Sequence, residues 1–327
     1  MREIIVNENE AGQRFDKLLT KYLNKAPKSF IYKMLRKKNI TLNGKKAEGN
    51  EKLQVSDVIK LFLSDETIDG FQQDYIIPVE HEKITKEQNF TIIYEDKNVL
   101  IMNKPAGMLS QKAQKEDVSL IEYMTEYLIQ TKQLDEKQLN SFRPGICNRL
   151  DRNTSGIIVG GKSLLGLQKM GEIIKQRDID KYYWCIVKGE VKKKQLIEGY
   201  LYKLKNRNRV VISNEPQEGA DYIKTQYEPL KSNKDFTLLR VKLITGRSHQ
   251  IRAHLQSIGH PIIGDGKYGD VHVNKYFRKN YKLKHHLLHS KELHFPKLDG
   301  DMVALSEKVF AADVPDYFNE IIHGLFE

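Results

Sequence analysis

From residue 64 to about residue 88 the chain turns polar and acidic, with Gly70 and Pro78 inside the stretch. Such a break ends one folding unit and starts another. It separates a short basic unit from a long mixed one. At 327 residues the chain is about twice the ~150 of an ordinary domain, so two cores are expected. A hydrophobic share of 39% can supply both and argues against a disordered chain. The units are drawn as residues 1–70, a linker at 71–88, and a larger domain at 89–327.

In the first unit Phe15, Leu18, Leu19, Tyr22 and Leu23 recur at helical spacing. Pro27 ends that helix, and Ser29 is placed to cap a second one whose apolar positions include Ile31, Met34 and Leu35. Ile40-Thr41-Leu42 then runs into Asn43-Gly44, a strong hairpin signal. Val55, Val58, Ile59, Leu61 and Leu63 fit the strands that close the unit. In the second unit, strands at 91–94 and 99–102 flank a four-residue turn. Helices are expected at 121–128, 164–174 and from 249 to about 258, and strands at 157–159, 181–187 and 236–244. Strands outnumber helices and adjoin in hairpins. That predicts an α+β fold with a mixed, mainly antiparallel sheet.

The formal net charge of +11 is unevenly placed. Residues 14–46 hold eleven Lys/Arg against one acid, Asp16. Residues 192–209 hold seven against Glu198, and residues 275–291 hold six, with three histidines and interleaved Tyr276, Phe277 and Tyr281. A solvated lysine-rich surface would explain any one patch. Three patches with aromatics point to a polyanion, nucleic acid before an anionic membrane. Lys33, Arg36 and Lys37, in the densest patch, are candidate RNA contacts. No apolar run reaches the ~18 residues of a membrane helix. The start turns acidic before a signal-peptide core could form, so a cytoplasmic location is expected. Cys147 and Cys185 alone make no disulfide scaffold and fit a reducing compartment.

Gly264-Asp265-Gly266-Lys267-Tyr268-Gly269 matches the glycine pattern of dinucleotide-binding folds. Pro261-Ile262-Ile263 is too short for the strand that pattern needs, and nothing after it reads as the required helix. A glycine-rich turn is expected instead. His285, His286 and His289 lack cysteine or carboxylate partners at ligand spacing, so no metal is expected. The stretch from Arg149 through Asp151 to Gly156 is denser in chemistry. It precedes a buried strand, and Arg149 and Asp151 could share one face of an extended segment. An aspartate ordering a turn and pairing with an arginine would read the same way. Thr245-Gly246-Arg247-Ser248-His249-Gln250-Ile251-Arg252-Ala253-His254 follows a strand and opens a helix. Arg247 sits near the helix start, where backbone donors also favour an anion. Capping and surface charge account for it equally well.

Taken together, these segments resemble the RluA/RluC/RluD family of RNA pseudouridine synthases. Asn148-Arg149-Leu150-Asp151-Arg152-Asn153-Thr154-Ser155-Gly156 is similar to its catalytic-aspartate motif. Lys181-x-Tyr183 is similar to its tyrosine motif, and Thr245 to His254 to its third motif. Asn103-Lys104-Pro105-Ala106-Gly107 resembles its first, structural motif. Leu287-Leu288-His289-Ser290 with Phe295-Pro296 resembles its C-terminal signature. The first 65 or so residues resemble an S4 RNA-binding domain, and Pro27-Lys28-Ser29-Phe30-Ile31-Tyr32 and Tyr268-Gly269-Asp270 look closest to the RluC type. One position departs: the family has His where Asn148 stands.

The resemblance implies isomerisation of specific uridines to pseudouridine in 23S (large-subunit) ribosomal RNA, by base flipping and without metal or organic cofactor, in a monomer. It makes Asp151 the catalytic carboxylate, Tyr183 the tyrosine beside the flipped base and Arg252 the basic partner of the aspartate. Arg149 fills the gap the flipped base leaves, and Arg247 contacts RNA. The alternative is a non-catalytic RNA-binding factor in ribosome assembly on the same fold. A retired enzyme would be free to lose one of Asp151, Tyr183 and Arg252, and all three are present.

Overall fold

The structure is a computed structural model that describes residues 1–73, 90–203 and 209–327. The linker expected at 71–88 falls almost wholly outside them, as do Lys205 and Arg207 of the middle basic stretch.

The N-terminal unit runs β1 (Arg2–Ile5), α1 (Phe15–Tyr22), α2 (Lys28–Arg36), β2 (Ile40–Leu42), β3 (Lys45–Lys46), β4 (Val58–Leu61) and α3 (Asp65–Phe71). Its sheet has the order β1-β4-β2-β3. Asn43 and Gly44 both have positive φ, 50° and 73°, as the tightest hairpin turn requires. The two helices bury Phe15, Leu18, Leu19, Ile31 and Leu35 against Ile40, Ile59 and Leu61. Ser29 is not the cap of α2. The helix starts directly after Pro27, whose ring sets φ at −65° and which has no N–H to leave unpaired. Val55 is not in a strand, because Ser56 at φ 71° turns the chain just before β4. The polar stretch after residue 63 opens with a helix, α3, whose N-terminus is capped by the Ser64 hydroxyl. One buried side chain, Ile68, ties α3 to the core, too little for periodicity to show.

The second unit continues β5 (Thr91–Glu95), β6 (Val99–Lys104), α4 (Leu120–Gln130), β7 (Gly145–Ile146), β8 (Ser155–Gly161), α5 (Leu164–Gln176), β9 (Asp180–Lys188), β10 (Gln195–Lys203), β11 (Val210–Ser213), β12 (Asp221–Ser232) and β13 (Phe236–Leu243). It ends with α6 (Gln250–Ser257), α7 (Val271–Tyr281), β14 (Leu288–His294), β15 (Val309–Ala311) and α8 (Asp316–Phe326). One sheet has the order β11-β10-β12-β13-β9-β14-β8-β6-β5, with β15 on β14 and β7 on β8. Among the described strands, β8 and β14 pair in parallel and every other pairing is antiparallel. The α+β class read from the sequence holds.

The β8–β14 junction sets the site. A Cβ on Gly156 would lie 2.2 Å from the Ser290 carbonyl oxygen, and its φ is 111°. Only glycine allows the two strands this close. The glycine that ends the aspartate segment therefore lets the C-terminal strand dock beside it. The two units keep separate cores: the buried N-terminal cluster draws on residues up to Ile68, and the others on Phe90 onward. A buried bond from the Ser141 hydroxyl to the Glu10 carboxylate joins them.

Candidate active site

Asp151 lies on the loop between β7 and β8, and its neighbours hold that loop on both sides. The Ser110 hydroxyl donates to the Leu150 carbonyl at 2.7 Å and accepts from the Leu150 N–H at 3.1 Å. The Arg152 carbonyl accepts from the Gly107 N–H at 2.8 Å and from Lys104 Nζ at 3.2 Å. Lys104 is fully buried and also donates to the carbonyls of Pro105 and Met108. Burial brings its ammonium down to about 7, and the charge of Asp151 offsets the lost hydration only in part. Thr154 closes the turn through its N–H to the Asp151 carbonyl and bonds His286 at 2.7 Å.

Opposite Asp151 stands α6. Its Gln250 side chain donates to the Lys224 carbonyl and the Thr225 hydroxyl, and His254 bonds the same hydroxyl, so one face of α6 is bolted to β12. Ile251 and Leu255 enter the core. Arg252, between them, is aimed at the loop. Its Nη1 donates to Asp151 Oδ2 at 2.6 Å, while Nε and Nη2 fork onto Asp265 at 2.6 and 2.9 Å. Both carboxylates hold its guanidinium protonated against burial. Asp265 is fully buried. Arg252 and the N–H groups of Lys267 and Tyr268 keep its carboxyl below the usual range despite that burial. Planar fork-to-carboxylate pairing of this kind fixes direction as well as charge.

His249 joins from the residue before α6, where its φ of 58° is an unusual conformation for a side chain of this size. Its Nδ1 bonds the Tyr268 hydroxyl at 3.0 Å, and that oxygen already accepts from the Val210 N–H. The His249 Nε2 lies 3.8 Å from Asp151 Oδ2. Burial lowers the His249 acidity range, so the neutral ring is favoured. Arg252 and His249 both face Oδ2. Oδ1 has no partner among the described residues.

Asp151, His249 and Arg252 line a cleft of about 760 Å³, with Tyr183 and Leu288 on its floor and Arg149, Arg152 and Arg247 at its edges. That size suits one nucleotide unit. Tyr183 stands on β9, 6% exposed, and burial pushes its phenol up to about 12. Its ring forms part of the cleft floor. Arg149 is exposed, with no partner among the described residues. Arg247 stands three residues before the start of α6 and pairs with Asp221 at 2.9 Å. Lys33, Arg36 and Lys37 are exposed at the end of α2, outside the cleft.

Asn148 does not touch Asp151. Its side chain accepts from the Val159 N–H at 2.8 Å and donates to the Ile157 carbonyl at 3.2 Å, lacing the loop to β8. Sequence reasoning missed Asp265, His249, Tyr268 and the burial of Lys104. The glycine-rich turn at 264–269 is a clamp for Arg252. Contrary to the reading from sequence, a helix does follow it: Asp270 caps α7 by accepting from the His272 and Val273 N–H groups. The strand a dinucleotide fold would need is absent there, and Ile262 makes an isolated bridge to Val187.

One carboxylate fixed by an arginine, in a nucleotide-sized cleft edged by three arginines, suits an enzyme acting on nucleic acid. A family model described as RNA pseudouridylate synthase matches residues 98–257. An uncharacterized RNA pseudouridine synthase of Mycoplasma genitalium is 31% identical over 300 residues, 91% of this chain and 90% of its own length. The chain belongs to the RNA pseudouridine synthases, isomerases that convert uridine to pseudouridine. The ribosomal large subunit pseudouridine synthase C of Buchnera aphidicola (subsp. Acyrthosiphon pisum) is 29% identical over 98% of this chain and 97% of its own. The solved structure of human RNA pseudouridylate synthase domain containing 4 has the same fold, with a TM-score of 0.57 at 23% identity over 76% of this chain and 96% of that one.

Proposed function

We propose that this chain isomerises uridines of large-subunit ribosomal RNA, 23S RNA in bacteria, with Asp151 as the reacting carboxylate. The observation that carries the reading is the division of labour between its two oxygens. Oδ2 is fixed by Arg252, while Oδ1, on a residue that lines the cleft, has no partner among the described residues. Pseudouridine formation breaks the bond from uracil nitrogen to the sugar, turns the base and rejoins it through carbon. The sugar carbon becomes electron-poor as that bond breaks, and glycosidases meet the same need with a carboxylate. No second carboxylate lines the cleft among the described residues, which favours rejoining over hydrolysis. Arg252 holds Asp151 in one orientation. Tyr183 offers its ring to the uracil and its hydroxyl to the proton traffic at carbon.

The target uridine must leave its stack to reach this floor, at a cost of a few kcal/mol. Exposed Arg149 at the rim is placed to fill the gap. The N-terminal unit, read as an S4-like module spanning residues 1–70, anchors the RNA through Lys33, Arg36 and Lys37. The large-subunit target is supported by the name of the Buchnera relative. The test is tritium release from 5-tritiated uridine in ribosomal RNA by Asp151→Asn. Turnover should fall by roughly a thousandfold or more, the upper end for loss of a transition-state charge partner, while RNA binding persists. Near-normal turnover overturns the assignment.

A further inference from the structure

Five cations on and just after α7 lack the neutralisation found elsewhere on the same domain. Lys275, Arg278 and Lys279 are exposed on the helix, and Lys282 and Lys284 on the turn that follows. None of the five has an ion-pair partner among the described residues. By contrast, Lys188 pairs with Asp270, Lys224 with Glu198, Lys231 with Glu327, Arg240 with Glu292 and Lys242 with Asp180. Like charges three and four residues apart on a helix repel. The helix dipole welcomes positive charge in the last turn, but that local effect does not call for five cations reaching beyond it. Tyr276, 52% exposed among them, offers a ring face.

The cluster also connects to the catalytic cleft. Asn274 accepts from the Gly264 N–H at 2.7 Å and donates to the Asp265 carbonyl at 2.9 Å, fastening α7 to the turn that grips Arg252. After Lys284 the chain returns to the cleft floor, where His286 bonds Thr154. Next to it His285 lies against Gly107, whose carbonyl accepts from Arg152 Nε at 3.0 Å. Arg152 lines the cleft. Positive charge thus continues from α7 through Lys284 and Arg152 toward Arg149.

We propose that the exposed face of α7, continued by Lys282 and Lys284, is a second RNA-docking surface that holds the phosphodiester backbone flanking the target uridine. It rests on the RNA-substrate reading above. A face of flexible, unpaired cations suits phosphate oxygens, which position a nucleic acid without reading its sequence. Tyr276 adds a surface on which a base can lie.

The experiment uses the full-length protein carrying Lys275→Ala, Arg278→Ala and Lys279→Ala together. Affinity for a ribosomal RNA fragment is measured against salt, and single-turnover tritium release is measured at saturating RNA. The affinity should fall by about tenfold or more, and the log–log salt slope should flatten by about two to three, roughly 0.7–0.9 for each phosphate no longer neutralised. Release at saturation should stay within about twofold of the parent protein. The charge-retaining pair Lys275→Arg and Lys279→Arg should keep the parent slope, and Lys231→Ala, which removes a paired lysine, should not flatten it. An unchanged slope and affinity in the triple variant overturn the proposal, and so does an equal loss in Lys231→Ala. Absence of tritium release from the parent protein would overturn the functional reading instead, and the salt series would still judge this surface.

Discussion

The N-terminal helices and the catalytic cleft are both rich in cations, and they use them in opposite ways. On α2, Lys33, Arg36 and Lys37 stand in solvent. In the cleft, Arg252 is 6% exposed and shared between Asp151 and Asp265, and beside the Asp151 loop Lys104 is buried on three carbonyls. An exposed cation is screened by salt and costs little to rearrange, so it suits a long polyanion met in many registers. A buried, forked cation holds one geometry and strongly favours an ionised partner, which suits a single reacting atom. The difference teaches that the charge total of a chain says less than how each charge is paired.

Four changes would break or sharpen that contrast. The largest effect is expected from Asp265→Asn, which leaves the buried guanidinium half-paired. Stability should drop by about 3–5 kcal/mol, the usual cost of breaking a buried ion pair, and turnover should fall with it. Denaturant unfolding beside single-turnover rates checks both. A variant that lost neither would show that the clamp is idle.

Tyr183→Phe keeps the ring and removes the hydroxyl. The chemical step should slow by roughly a hundredfold, in the lower range for a lost proton-transfer group, with RNA affinity nearly unchanged. Filter binding set against single-turnover rates separates the two. Equal losses would make Tyr183 a binding residue.

Removing residues 1–73 should leave the second core intact, because the buried clusters do not mix. If about four phosphates are met by the N-terminal unit, the log–log salt slope should flatten by about 3, and affinity for ribosomal RNA should fall about tenfold or more. Residual turnover on a short fragment at high concentration should survive. An unchanged slope would refute the anchor and leave the ten net charges between residues 14 and 46 without a role.

The smallest effect is expected from Asn148→His. The Asn148 side chain bonds backbone on β8 and not the reacting carboxylate. The rate should therefore stay within about tenfold, or ~1.4 kcal/mol of barrier. A larger change in either direction, read by tritium release, would give this position a chemical role.

Much was legible in the chain itself. Periodicity placed α1, α4 and α5, alternation placed β9, and Asn43-Gly44 announced its hairpin, because each of these depends on residues a few positions apart. The aspartate, tyrosine and arginine segments could be named for the same reason: each is a contiguous string. Partners could not. Asp151 and Arg252 are 101 residues apart in the chain, and the turn holding Asp265 reads as a glycine loop until Arg252 is seen to fork onto it. The same holds for Gly156, whose missing Cβ matters only because Ser290 arrives beside it. Local pattern determined α1, α2, α4, α5 and α6, the strands β2, β4, β5, β6, β8, β9 and β13, and the chemical repertoire, and it left α3, α7 and α8 unread. The tertiary structure alone decided which charge meets which, since burial and distance between remote segments set the strength of every such pair.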